Sequence, residues 1–229
     1  MSILKTVAGA AAGLLIAAGA TASSAAVIDF TSAGTGTSGS VGSVSWTMSS
    51  NIGTVNNSQA FDGQDSNLAW TGLALQRDGY GVRSYLDNSS RDDEITSILA
   101  GSEAILLTFN KAVRVSAVAF LDLFLPATGG LGEVGYAQFD DGTTVSVTAA
   151  DLANPVGSGS RRAGFAYSLV DGITTKSIRF FTGLTNDRQG LADGALAAVD
   201  IAPIPVPAAG LLLLGGLGGL AAIRRRRKA

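Results

Sequence analysis

The sequence predicts an all-β fold. It is expected to be an antiparallel β-sandwich of jelly-roll type, with an N-terminal signal helix and a C-terminal transmembrane helix outside the sandwich. Three observations carry this expectation. Short runs of alternating apolar and polar residues recur through the middle of the chain, as over 111–120, at the period of a half-buried strand. Turn residues such as Asp140-Asp141-Gly142 separate those runs at the spacing of a sandwich. Residues 27–202 show no long helical period, while both chain ends carry stretches apolar on every face.

The N-terminal stretch sets Lys5 ahead of an apolar run over 7–20 and ends in small residues, with Ala20-Thr21-Ala22 and Ser24-Ala25-Ala26 as cleavage candidates. This is the pattern of a secretory signal peptide over 1–26, and it implies Sec-type export machinery and signal peptidase as partners. Cleavage is expected before Val27, because Val27-Ile28-Asp29-Phe30 already reads as a strand.

The elements of the domain, 27–202, follow in order. Residues 31–43 are rich in Gly, Ser and Thr and read as a loop or flexible edge. Residues 44–48 alternate as a strand, 51–67 are polar, and 68–75 read as a further strand. Runs 104–109 and 111–120 are strands divided by a tight turn at Asn110. Val113, Val115, Ala117 and Ala119 fall on one face, opposite Arg114, Ser116 and Val118. Residues 136–139 and 143–147 flank Asp140-Asp141-Gly142 as a hairpin. Residues 165–170 and 177–181 flank Asp171-Gly172 as a second one. Single helical turns fit 96–101 and 149–154, and 196–201 forms the closing strand.

Residues 203–229 form a separate tail. Pro203 and Pro205 precede, and Pro207 lies at the start of, a span, 206–223, with no charged side chain. About 18 residues at 1.5 Å each just cross a hydrocarbon core. Arg224, Arg225, Arg226, Arg227 and Lys228 follow and belong on the cytoplasmic side. Physics alone leaves a permanent anchor and a processed signal both open.

The run Ile204-Pro205-Val206-Pro207-Ala208-Ala209-Gly210, the apolar span and the basic cluster resemble the VPLPA-CTERM sorting signal, a relative of the PEP-CTERM tails of Gram-negative bacteria. Ile204 stands for Val and Val206 for Leu, both keeping size and apolarity. The resemblance covers about a tenth of the chain. It implies recognition by an exosortase-type membrane protease or transpeptidase and a transient or permanent stay in the inner membrane. It further implies a final place at the cell surface, in the outer envelope or outside the cell. Gly79-Tyr80-Gly81-Val82, followed by an Asp/Asn-rich loop, bears a looser likeness to secreted cargo domains of such proteins.

Composition narrows the chemistry. With neither His nor Cys, Ser-His-Asp and Cys-His catalysis, ordinary zinc sites, haem and iron–sulfur ligation are excluded. With Lys5 and 224–228 set aside, ten basic residues face all eighteen acids, so 27–202 carries about −8 against −2 for the whole chain. Nucleic acid is therefore not an expected partner. Glu94, Glu103 and Glu133, the only glutamates, are the material for a carboxylate-pair glycoside hydrolase. Lys111 and Lys176 lack a Ser-x-x-Lys context.

Asp87, Asn88, Asp92, Asp93 and Glu94 crowd one loop. They could serve calcium, which takes six to eight oxygens, or be a solvated turn region. Tyr80 and Tyr85 sit in the same polar stretch and are expected as an exposed pair able to stack on sugar rings, whereas the tryptophans are expected in the core. The reading is a non-catalytic exported protein of the cell surface or extracellular matrix, with a structural or interaction role. The alternatives are a carbohydrate-binding module, with or without dependence on calcium, with exopolysaccharide as partner, and a carboxylate-dependent secreted glycoside hydrolase.

Overall fold

Two long alternating runs form the spine of the fold. β8 (Ile105–Leu121) and β12 (Ala163–Gly183) pair antiparallel along most of their length. The computed structural model describes residues 25–61, 72–86, 94–98, 101–123, 132–148, 152–156, 163–183 and 191–204, with the backbone alone at 148, 152–156, 163–171 and 191. All of them lie within one unit, Ser23–Ile204. The expected helices over 1–26 and 206–223 fall outside the described residues, apart from Ala25 and Ala26.

The described residues are all-β. β1 (Ala26–Asp29) pairs with β14 (Ala195–Pro203), and β14 pairs with the second half of β8. Beyond β12 come β9 (Val134–Phe139) and β10 (Thr144–Thr148). β3 (Val44–Ser50) joins the first half of β8 and carries β2 (Ser38–Val41) at its edge, while β11 (Leu152–Val156) pairs with β12. Two small sheets complete the set: β4 (Thr54–Asn56) with β5 (Gly81–Arg83), and β6 (Ser97–Ile98) between β7 (Gly101–Ser102) and β13 (Leu191–Ala192). Every pairing is antiparallel.

The hairpin expected at Asp140-Asp141-Gly142 forms. Gly142 N donates to Phe139 O at 3.0 Å and Phe139 N to Thr143 O at 2.8 Å, with Gly142 at φ 86°. A three-residue loop ending in a left-handed residue is a favoured antiparallel connection.

Two other turn readings are corrected. Neither Asn110 nor Asp171-Gly172 reverses the chain, because β8 and β12 run straight through both places. The pairing register shifts there instead, between Thr175 and Ser177 opposite the Asn110 region, and between Leu169 and Ile173 around Gly172. Asn110 keeps the chain in the sheet by accepting a bond from Ser45 N on its side-chain oxygen, at 3.0 Å. Gly172 has φ 74°. One type of bulge sets a glycine in the left-handed region just as a turn does, so Asp-Gly alone does not separate the two.

A third irregularity resets a face. On β14, Asp200 pairs with Ala117 and Ile201 with Val115, which leaves Ser116 as an extra residue on β8. One inserted residue flips every later side chain. Val113 and Val115 therefore share the main core with Val118 and Phe120, while Ala119 and Leu121 join a smaller cluster on the opposite side. The single face expected for Val113, Val115, Ala117 and Ala119 is split at this bulge.

The expected helical turn over 149–154 is replaced by β11 where it is described, and 97–98 with 101–102 form a small hairpin. Residues 73–75 are not in a strand, and 62–71 lie outside the described residues. The core is assembled across the chain. Phe30 meets Trp46 edge-on at 5.5 Å and Tyr80 at 5.8 Å, and Phe120 meets Phe180 at 6.0 Å.

Candidate functional site

Tyr80 and Tyr85 do not form a surface pair. Tyr80 is 5 % exposed and sits in the main core, whereas Tyr85 is 80 % exposed. Backbone bonds in both directions tie Tyr80 to Leu196, at 2.9 and 2.8 Å, and its hydroxyl donates to Thr35 O at 2.8 Å. Burial raises its phenol pKa, against a smaller opposing effect of Asn57. Gly79 is needed for this approach, since a Cβ there would lie 2.6 Å from Leu196 O at a φ of 119°. The Gly79-Tyr80-Gly81-Val82 run is thus an internal latch between β5 and β14, and Tyr80 offers no ring to a sugar.

Residues 87–93, with Asp87, Asn88, Asp92 and Asp93, lie outside the described residues. Glu94 is half-buried, and its carbonyl accepts from Val82 N at 2.9 Å. Among the described residues no group of three carboxylates could hold a metal ion. Glu103 is completely buried, its Oε2 accepting from Thr96 N at 2.8 Å, and Glu133 is 7 % exposed.

Two polar knots were not foreseen. In the first, Asp29 accepts from Thr31 N, Thr31 Oγ1 and Ala74 N, while buried Thr31 receives Leu75, Gln76 and Arg77 N–H groups. An Asp two residues before a Thr is turn chemistry, so its local half was readable, but the partners more than forty residues on were not. In the second, buried Thr182 Oγ1 lies 2.8 Å from Ile95 O and 3.1 Å from Ala192 O. Ser97 Oγ lies 2.7 Å from Thr182 O. Both knots satisfy groups that would otherwise be costly to bury; the second is buried at Thr182 and Ser97, whereas the first lies at the surface, with Asp29 half-buried and Ala74 and Gln76 exposed.

The outward face of the sheet carries the row Ser49, Leu106, Arg179, Gln138 and Thr144 across β3, β8, β12, β9 and β10. Beside it Tyr136 and Phe181 stack at 5.0 Å and 13°, and the Arg179 guanidinium lies 4.5 Å from the Phe181 ring centre. Tyr136 also covers Gly183, where a Cβ would be 2.5 Å from its ring. These rings are occupied by protein. The alternation of Ser177, Arg179 and Phe181 was a signal that could have placed them outward.

The remaining place is the chain exit. Ala26 pairs with Ile201, so the first strand starts beside the end of the last. Ala202 and Pro203 pair with Arg114 and Val113 of β8, whereas the β1 ladder ends at Ile201. A proline suits that position because it has no N–H to give a further strand. Ile201 is fully buried, Ile204 is 43 % exposed, and Val27 on the same edge is 47 % exposed. Freeing Ala202 and Pro203 costs about 1 kcal/mol for the bonds lost. Freeing Ile201 adds about 2–3 kcal/mol of apolar burial. Of the motif residues Ile204, Pro205, Val206, Pro207, Ala208, Ala209 and Gly210, only Ile204 is described, and the basic residues 224–228 are not.

No protein-family model, curated protein or solved structure matches the chain.

Proposed function

We propose that the chain is a non-catalytic exported protein of the cell surface or extracellular matrix, sorted through its C-terminal signal, with an interaction or structural β-domain as cargo. One observation supports this most. Strand β1 begins at Ala26, the last residue of the leader pattern, and β14 ends at Pro203, so the described sheet starts where that pattern ends and stops where the motif at 204–210 begins. Each end segment is left to be handled apart from the fold. We further propose that the antiparallel strands close into a sandwich of jelly-roll type, with Ser116 and Gly172 as the bulges that let β8 and β12 change layers.

The test is the intact mass and the location of the protein in its own host. A mass ending between Pro207 and Gly210, outside the inner membrane, is the expected result. A chain that keeps Arg224–Arg227 in the inner membrane is a plain anchored protein, and the reading fails. A second reading, carbohydrate binding, retains Tyr85 as its exposed ring. Its expected result is a retarded band on a polysaccharide gel that Tyr85→Ala releases.

A further inference from the structure

We infer that the end of β14 is a stop that sets how closely the processing enzyme approaches the folded cargo. The inference rests on the sorting reading above. Ala202 and Pro203 are still paired with β8, and the motif begins at the next residue, Ile204. No spacer separates sheet from motif. An enzyme that cuts a chain holds it extended on both sides of the bond, so its upstream subsites meet the sheet itself.

The strand end is graded. Ala202 and Pro203 have one neighbouring strand, β8, and Pro203 has no N–H to lose. Ile201 is fully buried and pairs with Val115 on β8; cleavage before Val27 takes away Ala26, its partner on β1, so core burial rather than a second strand holds it in the exported chain. Peeling therefore stops at Ile201. The partner this end fits is a membrane peptidase or transpeptidase whose upstream subsites take no more than Ala202 and Pro203 ahead of the motif. Cleavage then falls within 204–210. The broken bond leaves its acyl group on the β-domain, taken by water or by an acceptor hydroxyl or amine, and the tail departs with the new amine. Sheet pairing and enzyme binding compete for the same two residues, so fraying of β14 limits the rate.

The experiment is pulse–chase of the full chain in its own host, read by intact mass. Gly-Ser spacers of about four and about eight residues are inserted between Pro203 and Ile204. The expected result is tail loss about threefold or more faster with the shorter spacer, the population of a strand end no longer paying for unpairing, and no further gain with the longer one. Deleting Ala202 and Pro203 draws the motif to Ile201 and is expected to slow tail loss about tenfold, with circular dichroism of the purified chain reporting retained strand content. Equal rates in the wild type and both spacer variants overturn the inference while leaving the sorting reading intact. Retention of Arg224–Arg227 in the wild type and every variant overturns both.

Discussion

Tyr80 and Tyr136 are the same side chain in opposite circumstances. Tyr80 comes from a polar, glycine-rich stretch, yet it is buried against Phe30 and bonded to β14. Tyr136 comes from a regular strand, yet it stands on the outward face, stacked on Phe181. The surroundings of Tyr80 were assembled from segments far apart in the chain: Phe30, Thr35 and Leu196. Those of Tyr136 come from its cross-strand partners Phe181 and Ser146 and from Gly183 beyond. Local polarity describes what a residue's neighbours in sequence do, while burial depends on what arrives from elsewhere.

Mutation sharpens the contrast most. Gly79→Val, with its Cβ at 2.6 Å from Leu196 O and φ 119°, is expected to cost about 3 kcal/mol or more. Tyr80→Ala is expected to cost about 3–5 kcal/mol. Both are read from urea midpoints of the exported protein. Tyr136→Ala is expected to cost only about 1 kcal/mol, and a double-mutant cycle with Phe181→Ala should return a coupling of about 0.5–1.5 kcal/mol. If Tyr136→Ala proves as costly as Tyr80→Ala, the contrast between interior latch and outer ladder is broken.

Proton binding gives a smaller separation. Burial raises the Tyr80 phenol pKa, so folding disfavours phenolate. The stability this group contributes is intact below the unfolded value of about 10 and is lost as pH rises through the higher folded value. Tyr80→Phe is expected to flatten that alkaline fall in thermal melts, and a fall unchanged in the variant would place its origin elsewhere. The smallest effect belongs to Asp140. Its carboxyl is held below the ordinary value chiefly by accepting Lys176 N at 2.8 Å, with desolvation opposing. Its contribution is present above the unfolded value of about 4 and is lost as pH falls through the lower folded value. Asp140→Asn should therefore alter only the acid limb, and weakly, since the group is open to solvent.

The parts legible in sequence were those with local causes. The Asp140-Asp141-Gly142 hairpin follows from turn residues set between two alternating runs. The parity of β3 and of the first half of β8 was likewise readable. Asn110 and Gly172 were misread as turns because a bulge uses the same left-handed or side-chain-capped backbone, and only partner strands say which it is. Ser116 carries no signal at all, yet its insertion decides which alanines and valines share a core.

The candidate exit divides the same way. That a proline punctuation, an apolar span and an arginine cluster follow the last strand is written in residue order. That β1 starts beside Ile201, leaving Ala202 and Pro203 as the weakly held end of the sheet, is a matter of register. Sequence by itself determined the strand-forming character of the domain, the chemistry excluded by lacking His and Cys, and the apolar composition of a stretch near either end. Each is a property of composition or of short-range pattern. Tertiary structure decided where the bulges fall, which tyrosine is buried and where the sheet stops, because these depend on backbone partners and burial supplied by residues distant in the chain.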